Sequence, residues 1–285
     1  MTSRSEGTPA GERDHPAEPR PDPRLPTALD KLPPGIDVPA SAVCVFVSGS
    51  LVAGWGHATS DVDLYVVSAE PARVAAAAEL ELGLSAQAVP VVTAMGNDGL
   101  RYDVEYWTTR QVDELFEAIP AMDTVKADGG GHALGGRIAY TDRDWFFRLS
   151  IATALLGHDW LRAAKQRLAD SSLPQLLAAY EFYEADGYID DALGLLAAGD
   201  RESAVLAARQ ALGHAVDGVL FARGSLAPNV KWRYRKLASL PGPPLAPAVY
   251  WRLETARDLD ISDPRPWVEE IVQVCQSLML EVDFS

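Results

Sequence analysis

Asp61 and Asp63 flank Val62, and ten residues separate this pair from Gly49-Ser50 upstream. On a β-strand, residues two apart point to the same face, roughly 6.5–7 Å from one another. The spacing therefore puts both carboxylates on one wall while Val62 and Leu64 turn the other way. Two hard oxygen ligands on one wall suit Mg²⁺, which binds through one or two carboxylates together with substrate phosphates. A Gly-Ser turn just ahead of them offers backbone N–H groups and a hydroxyl to those phosphates. The combination points to phosphoryl-transfer chemistry on a nucleotide. A site for two ions, about 3.5–4 Å apart, needs more than one carboxylate pair, so a third acid is expected from a neighbouring strand. Residues 99–107 supply it: Tyr102, Val104 and Tyr106 alternate with Arg101, Asp103 and Glu105. Asp103 and Glu105 share a face, so periodicity leaves both as candidates.

This pattern, Gly49-Ser50 followed by Asp61-Val62-Asp63-Leu64, resembles the signature of the DNA polymerase β-type nucleotidyltransferase superfamily. Arg101-Tyr102-Asp103-Val104 is similar to that superfamily's third-carboxylate strand. The resemblance covers roughly residues 40–145. It implies that Gly49 and Ser50 hold the β- and γ-phosphates of ATP or another nucleoside triphosphate. It also implies that Asp61 and Asp63 bind two Mg²⁺ ions, with Asp103 or Glu105 on the catalytic one.

The elements needed to position these residues are legible along the chain. Residues 1 to about 36 are dense in proline and charge with no hydrophobic period, which reads as a disordered tail through residue 37. From Val38 the pattern is α/β. Strands are expected over 42–47, 62–67, 89–94 and 100–107, with a short helical turn over 50–54. The last two strands are joined by a hairpin turn at Gly96-Asn97-Asp98-Gly99. An Ala-rich helix is expected over 71–82, and a helix over 111–118 capped by Thr108 or Thr109. The run Gly129 to Gly136 reads as a mobile connection or lid, followed by a strand over 137–140. Beyond Asp142 the period becomes helical, with helices at 145–155, 159–168, 173–197, 201–222, 231–240, 246–257 and 264–280. The predicted fold is α+β: a mixed-sheet nucleotidyltransferase core over 38–142, then an all-α helical bundle over 143–285. This layout resembles the small-molecule, aminoglycoside-type nucleotidyltransferases, in which the helical part closes over the nucleotide and presents the acceptor.

Two segments of the helical half carry candidate chemistry. Glu181 and Glu184 are three apart on one helix face, with Tyr180 adjoining. Glu184 is the candidate base for a hydroxyl acceptor, and the same acids suit a polycationic substrate. Lys231-Trp-Arg-Tyr-Arg-Lys236 is the densest basic run; Lys231, Arg235 and Lys236 are candidates to bridge the triphosphate when the halves close. The position of Lys231 matches the cross-domain lysine that the resemblance implies. Arg209 and His214 have the Arg-x4-His spacing of helical ribonuclease domains, but five residues on a helix leave them roughly 140° apart. His57 lies in the phosphate turn. No His/Cys spacing suggests zinc.

A formal net charge of −15 argues against extended contact with nucleic acid, which needs clustered Lys and Arg, and favours a small, cationic acceptor. Two cysteines, Cys44 and Cys275, cannot frame a disulfide network, which fits a reducing cytoplasm. No stretch approaches a membrane span and no secretory signal is visible. The expected activity is Mg²⁺-dependent transfer of AMP from ATP to a small-molecule hydroxyl, as in antibiotic modification or natural-product tailoring. The rivals are AMP transfer to a protein by a toxin–antitoxin-type enzyme and nucleotide sensing without turnover.

Overall fold

The computed structural model describes residues 20–72, 74, 78–81, 88–96, 99–119 and 138–282, the side chains of 78–81 excepted. Among these residues six strands form one sheet: β1 Ala42–Ser48, β2 Val62–Ser68, β3 Ala78–Glu81, β4 Ala88–Met95, β5 Arg101–Thr108 and β6 Thr153–Leu156. Their order is β3-β4-β5-β2-β1-β6. The β2–β5 pair is parallel and the other neighbours are antiparallel, so the sheet is mixed. Among the described residues the α-helices are α1 Gly49–Val52, α2 Thr109–Glu117, α3 Tyr140–Ile151, α4 His158–Ala169, α5 Leu173–Ala198, α6 Arg201–Ala222, α7 Arg233–Ser239, α8 Pro247–Glu254 and α9 Arg265–Leu280. The fold class is α+β, with a C-terminal helical region.

Strand periodicity divides the sheet into two faces. Cys44, Phe46, Tyr65, Val67 and Trp107 point to the face packed by α2, α3 and α4, where Trp145, Phe146, Leu115 and Phe116 close the core. Phe46 stacks on Tyr65 at 4.8 Å, and Trp107 meets Trp145 at 4.9 Å. Val45, Val47, Val62, Leu64, Val66, Tyr102 and Val104 point to the opposite face. A second core joins Phe182, Ile189, Leu212, Val219, Leu253, Ile271 and other residues of α5, α6, α8 and α9.

The supposed tail is ordered from residue 20: Leu25, Leu29, Leu32 and Ile36 pack on the second sheet face. The segment runs through turns and a short 3-10 helix at Leu29–Lys31, and its leucines add apolar cover to this face. Residues 1–19 lie outside the described residues. Within the expected helix over 71–82, Ala78–Glu81 is a strand paired with β4, where tertiary pairing overrides helix propensity. Of the expected strand at 137–140, residues 138–139 lead into α3, which begins at Tyr140, while the end of the expected 145–155 helix is strand β6, paired with β1. Gly157, at φ 74° against the backbone of Val43, turns the chain from β6 into α4; a Cβ there would collide with the Val43 carbonyl. The glycine run at 129–136 and Arg137 lie outside the described residues.

Elsewhere the pattern and the structure agree. Thr108 caps α2 reciprocally with Gln111: the Gln111 amide donates to the Thr108 hydroxyl at 3.1 Å, and the Thr108 amide to the Gln111 side chain at 2.8 Å. The turn at 96–99 is closed by the Gly96 amide donating to the Leu100 carbonyl at 2.8 Å.

Candidate active site

The site begins where β1 ends. Gly49 opens α1 at φ 82°, a conformation that disfavours any side chain. A Cβ at Gly49 would also overlap the Asp63 carboxylate and the Arg148 guanidinium. The glycine of the motif thus makes room for the second aspartate as well as shaping the turn. The loop from this turn to Asp61 is held from outside by the N-terminal segment. The Asp22 amide donates to the Leu51 carbonyl at 3.0 Å. Arg24, oriented by Asp22 at 2.8 Å, donates to the carbonyls of His57 and Ala58, each at 3.1 Å. His57 is exposed, and its Nδ1 faces the Thr59 hydroxyl at 3.0 Å.

Register places the carboxylates. Asp63 is the Cα partner of Asp103, and Tyr65 the partner of Glu105. Arg101 gathers two of the acids, donating to Asp61 and, at 2.8 Å, to Asp103. Thr93 donates to the other oxygen of Asp103 at 2.9 Å. Arg148, from α3, donates to Asp63 and, through Nε, to Asp144 at 3.1 Å. Its own carbonyl accepts from the Ser48 hydroxyl at 2.6 Å, which fixes α3 to the end of β1. Glu105 lies one strand step deeper than Asp103 and accepts from the Trp107 indole at 2.9 Å.

These surroundings separate the acids electrostatically. Burial raises the Asp63 carboxyl to about 6, against the pull of Arg148 and with repulsion from Asp61 adding to the rise. Burial likewise raises Glu105 to about 7, the indole hydrogen bond offsetting only part of it. For Asp61 burial also pushes upward, but the hydrogen bond and charge of Arg101 together with further hydrogen bonds outweigh it, and the carboxyl falls below its ordinary value. Arg148 stays cationic: burial works against its charge, and Asp63, Asp144 and Tyr65 more than reverse that.

The site spans both halves. A cavity of about 110 Å³ is lined by Ser50, Trp55, Asp61 and Asp63 from the sheet region, Phe147 and Arg148 from α3, and Asn229, Lys231 and Trp232 from the segment before α7. Arg235 stands at its rim, its guanidinium 5.0 Å from the Trp232 ring and 3.5 Å from the Trp55 carbonyl. The basic run thus divides in two. Lys231 and Arg235 are exposed at the cleft, whereas Lys236 is buried and bonded to the Ala227 carbonyl at 2.7 Å and to Asp217 at 3.4 Å. Arg233 makes a two-point pair with the same aspartate, at 3.0 and 2.7 Å. Lys236 is therefore removed from the phosphate candidates, because its ammonium is committed to a buried carboxylate.

Glu184 is not among the residues lining this cavity. It lines a separate one of about 480 Å³ with Tyr183, Asp186, Tyr188, Asp190 and Asp191 of α5. Glu181, its predicted partner, is buried and accepts from Arg143 at 3.4 Å, and its second oxygen meets His214 Nδ1 at 2.6 Å. Arg209 instead pairs with Glu254 at 3.1 Å, so Arg209 and His214 serve different partners within the chain.

No protein-family profile and no curated protein matches the chain. Among solved structures it is similar to a nucleotidyltransferase-like protein from Exiguobacterium sibiricum 255-15. The two share 15% identity over 84% of this chain and 70% of that one, with a TM-score of 0.45.

As hard oxygen donors, Asp63 and Asp103 on adjacent strands and Asp61 just ahead of β2 have the chemistry of a divalent-cation site. Among the described residues, no three His, Cys, Asp or Glu side chains are gathered closely enough to cage an ion as they stand. Arg101 and Arg148 are the present partners of these carboxylates. Arg148, Asp144 and the two tryptophans were missed in the sequence. Asp144 and Arg148 do carry a signal, the i,i+4 spacing of an ion pair on one helix face. Among the described residues, no helix is long and apolar enough to cross a membrane.

Proposed function

We propose that the chain is a nucleotidyltransferase that moves a nucleotidyl group, AMP from ATP, to a hydroxyl of a small cationic molecule. The observation that carries this reading is the shared cavity. Ser50 after the glycine turn, the Asp61 and Asp63 carboxylates, and Lys231 from the opposite half all face one small space. Phosphoryl transfer asks little covalent chemistry of a protein and depends on positioning and charge compensation. In this reading the turn at Gly49 and Ser50 holds the β- and γ-phosphates, while Lys231 and Arg235 offset charge on the departing pyrophosphate. Arg148, cationic and aimed at the carboxylates, keeps Asp63 oriented towards the turn. Asp61 and Asp63, with Asp103, would hold Mg²⁺. When bound, Mg²⁺ would neutralise phosphate charge and polarise the phosphorus under attack. Asp103, in register with Asp63 and sharing Arg101 with Asp61, is the better third ligand; Glu105 is engaged by Trp107 beneath it.

The cationic acceptor is supported by the acidic cavity on α5. Glu184, placed there and not at the cleft, then serves the acceptor's charge rather than its hydroxyl. The test is ATP labelled at the α-phosphate, incubated with Mg²⁺ and a panel of amino-sugar and neutral hydroxyl acceptors. Label on a cationic small molecule is the expected result. Label on protein, or nucleotide bound and never transferred, would replace the reading by one of its two rivals.

A further inference from the structure

We propose that Trp55 and Trp232 form a two-sided jaw that stacks the base of the nucleotide donor, with preference for a purine. The inference rests on the donor reading above and assigns the part of the donor that the phosphate turn and carboxylates leave unbound.

Trp55 belongs to the sheet region and is tied to the phosphate turn itself, its amide donating to the Ser50 carbonyl at 2.8 Å. Trp232 comes from the opposite half, next to Lys231. Both rings line the cavity that holds Ser50, Asp61 and Asp63. Their centroids are 5.5 Å apart with 37° between the planes. Trp232 belongs to none of the hydrophobic cores, so a large apolar ring is presented to a polar cleft instead of being packed away. Lys231 and Arg235 lie 5.1 and 5.0 Å from that ring.

A flat π surface on the same wall as a phosphate turn fits a ligand in which an aromatic group is joined to phosphate, and a nucleoside triphosphate is that ligand. A base inserted between two rings needs them roughly 7 Å apart, twice the carbon–carbon contact optimum of about 3.5 Å. The two tryptophans are near that separation, and a small parting of the halves with flattening of the 37° tilt completes it. Because the rings come from opposite halves, a base held between them bridges the two halves beside the phosphate turn. A purine covers more of both rings than a pyrimidine does, which gives the preference its direction.

Calorimetric titration with ATP, CTP and inorganic tripolyphosphate, each with Mg²⁺, tests this on wild type, Trp55→Ala, Trp232→Ala and Trp232→Phe. Stacking on one aromatic side chain predicts that each alanine variant weakens ATP about 5- to 100-fold. Tripolyphosphate, which has no base, should shift less than about 2-fold, and Trp232→Phe should keep most of the ATP affinity. Wild type should favour ATP over CTP. Equal losses for ATP and tripolyphosphate would overturn the jaw and leave the tryptophans as a latch between halves. So would tripolyphosphate binding with no advantage for ATP, in which case the donor reading stands alone. A wild type that binds neither ligand would overturn the donor reading together with the jaw. Should Trp55→Ala fail to fold, the two Trp232 variants decide the matter, since that ring supports no core.

Discussion

Two charged clusters on opposite sides of the cleft are built from the same pairing of arginine and aspartate, and they differ in balance. In the helical half, Asp217 is buried with two cations, Arg233 at 2.7 Å and Lys236 at 3.4 Å. Burial would raise this carboxyl, but Lys236 and Arg233 outweigh it and hold it below its ordinary value. In the cleft the ratio is reversed. Asp61, Asp63, Asp103, Asp144 and Glu105 face Arg101 and Arg148, and one Asp144 oxygen is buried without a partner. A cluster in which cations satisfy the acid holds a fold together. One in which acids outnumber cations has unspent affinity for positive charge, and this difference separates a structural ion pair from a candidate site more clearly than residue type does.

The comparison breaks first at its largest predicted effect. Asp63→Asn should lower nucleotidyl transfer by on the order of 10³-fold, the several kcal/mol of charge stabilisation expected from a metal-binding acid. Far-UV circular dichroism and the melting midpoint should stay near wild type, and near-normal turnover would remove Asp63 from the chemistry. Asp217→Ala should do the opposite. It strands two buried cations and should cost about 3–5 kcal/mol of stability in urea unfolding. Transfer per folded molecule at saturating nucleotide should be preserved; a selective loss of activity would merge the two clusters.

Glu105→Gln gives a smaller effect with a pH signature. Because the folded-state carboxyl lies at about 7, above its ordinary value, the wild type binds more protons folded than unfolded between about pH 4.5 and 7. Its stability contribution is intact below that window and is lost as pH rises through 7. Glutamine still accepts from Trp107, so the variant should be more stable by about 1–3 kcal/mol at pH 8 and converge with wild type near pH 4.5. Equal stability at both pH values would remove the buried-acid assignment. Smallest in energy is Lys231→Ala, which should raise the nucleotide KM by about 10-fold, on the order of 1.4 kcal/mol, and leave unfolding within about 0.5 kcal/mol of wild type. Lys236→Met should show the reverse pattern, a stability loss without a nucleotide effect.

What could be read from the sequence followed from periodicity and fixed spacing. Strands β1, β2, β4 and β5 and the helices from α4 onward carry their own hydrophobic pattern, so local rules located them. Gly49-Ser50 and the pair Asp61 and Asp63 were legible because turn and strand are contiguous. The partners of the acids were not. Arg148 reaches Asp63 across 85 positions, and Trp232 meets Trp55 only because the halves fold together. Strand β6 was hidden inside a helical period, as a four-residue segment whose identity is set by its neighbour β1. The proline-rich segment misled for a related reason: composition reports the lack of a helix or strand, not whether leucines three or four apart find a sheet face to cover.

Strand β6 also bears on how the protein is made. It pairs with β1, the earliest strand of the sheet, yet it is the last to leave the ribosome. Until residue 156 is synthesised, β1 is an open edge rich in valine and phenylalanine, the kind of edge that pairs with other chains. Arg148, the counter-charge of Asp63, arrives in the same stretch. A nascent chain stopped near residue 142 therefore holds an unfinished sheet and an unpaired acid, so the sheet and the first helix of the second half complete folding as one unit.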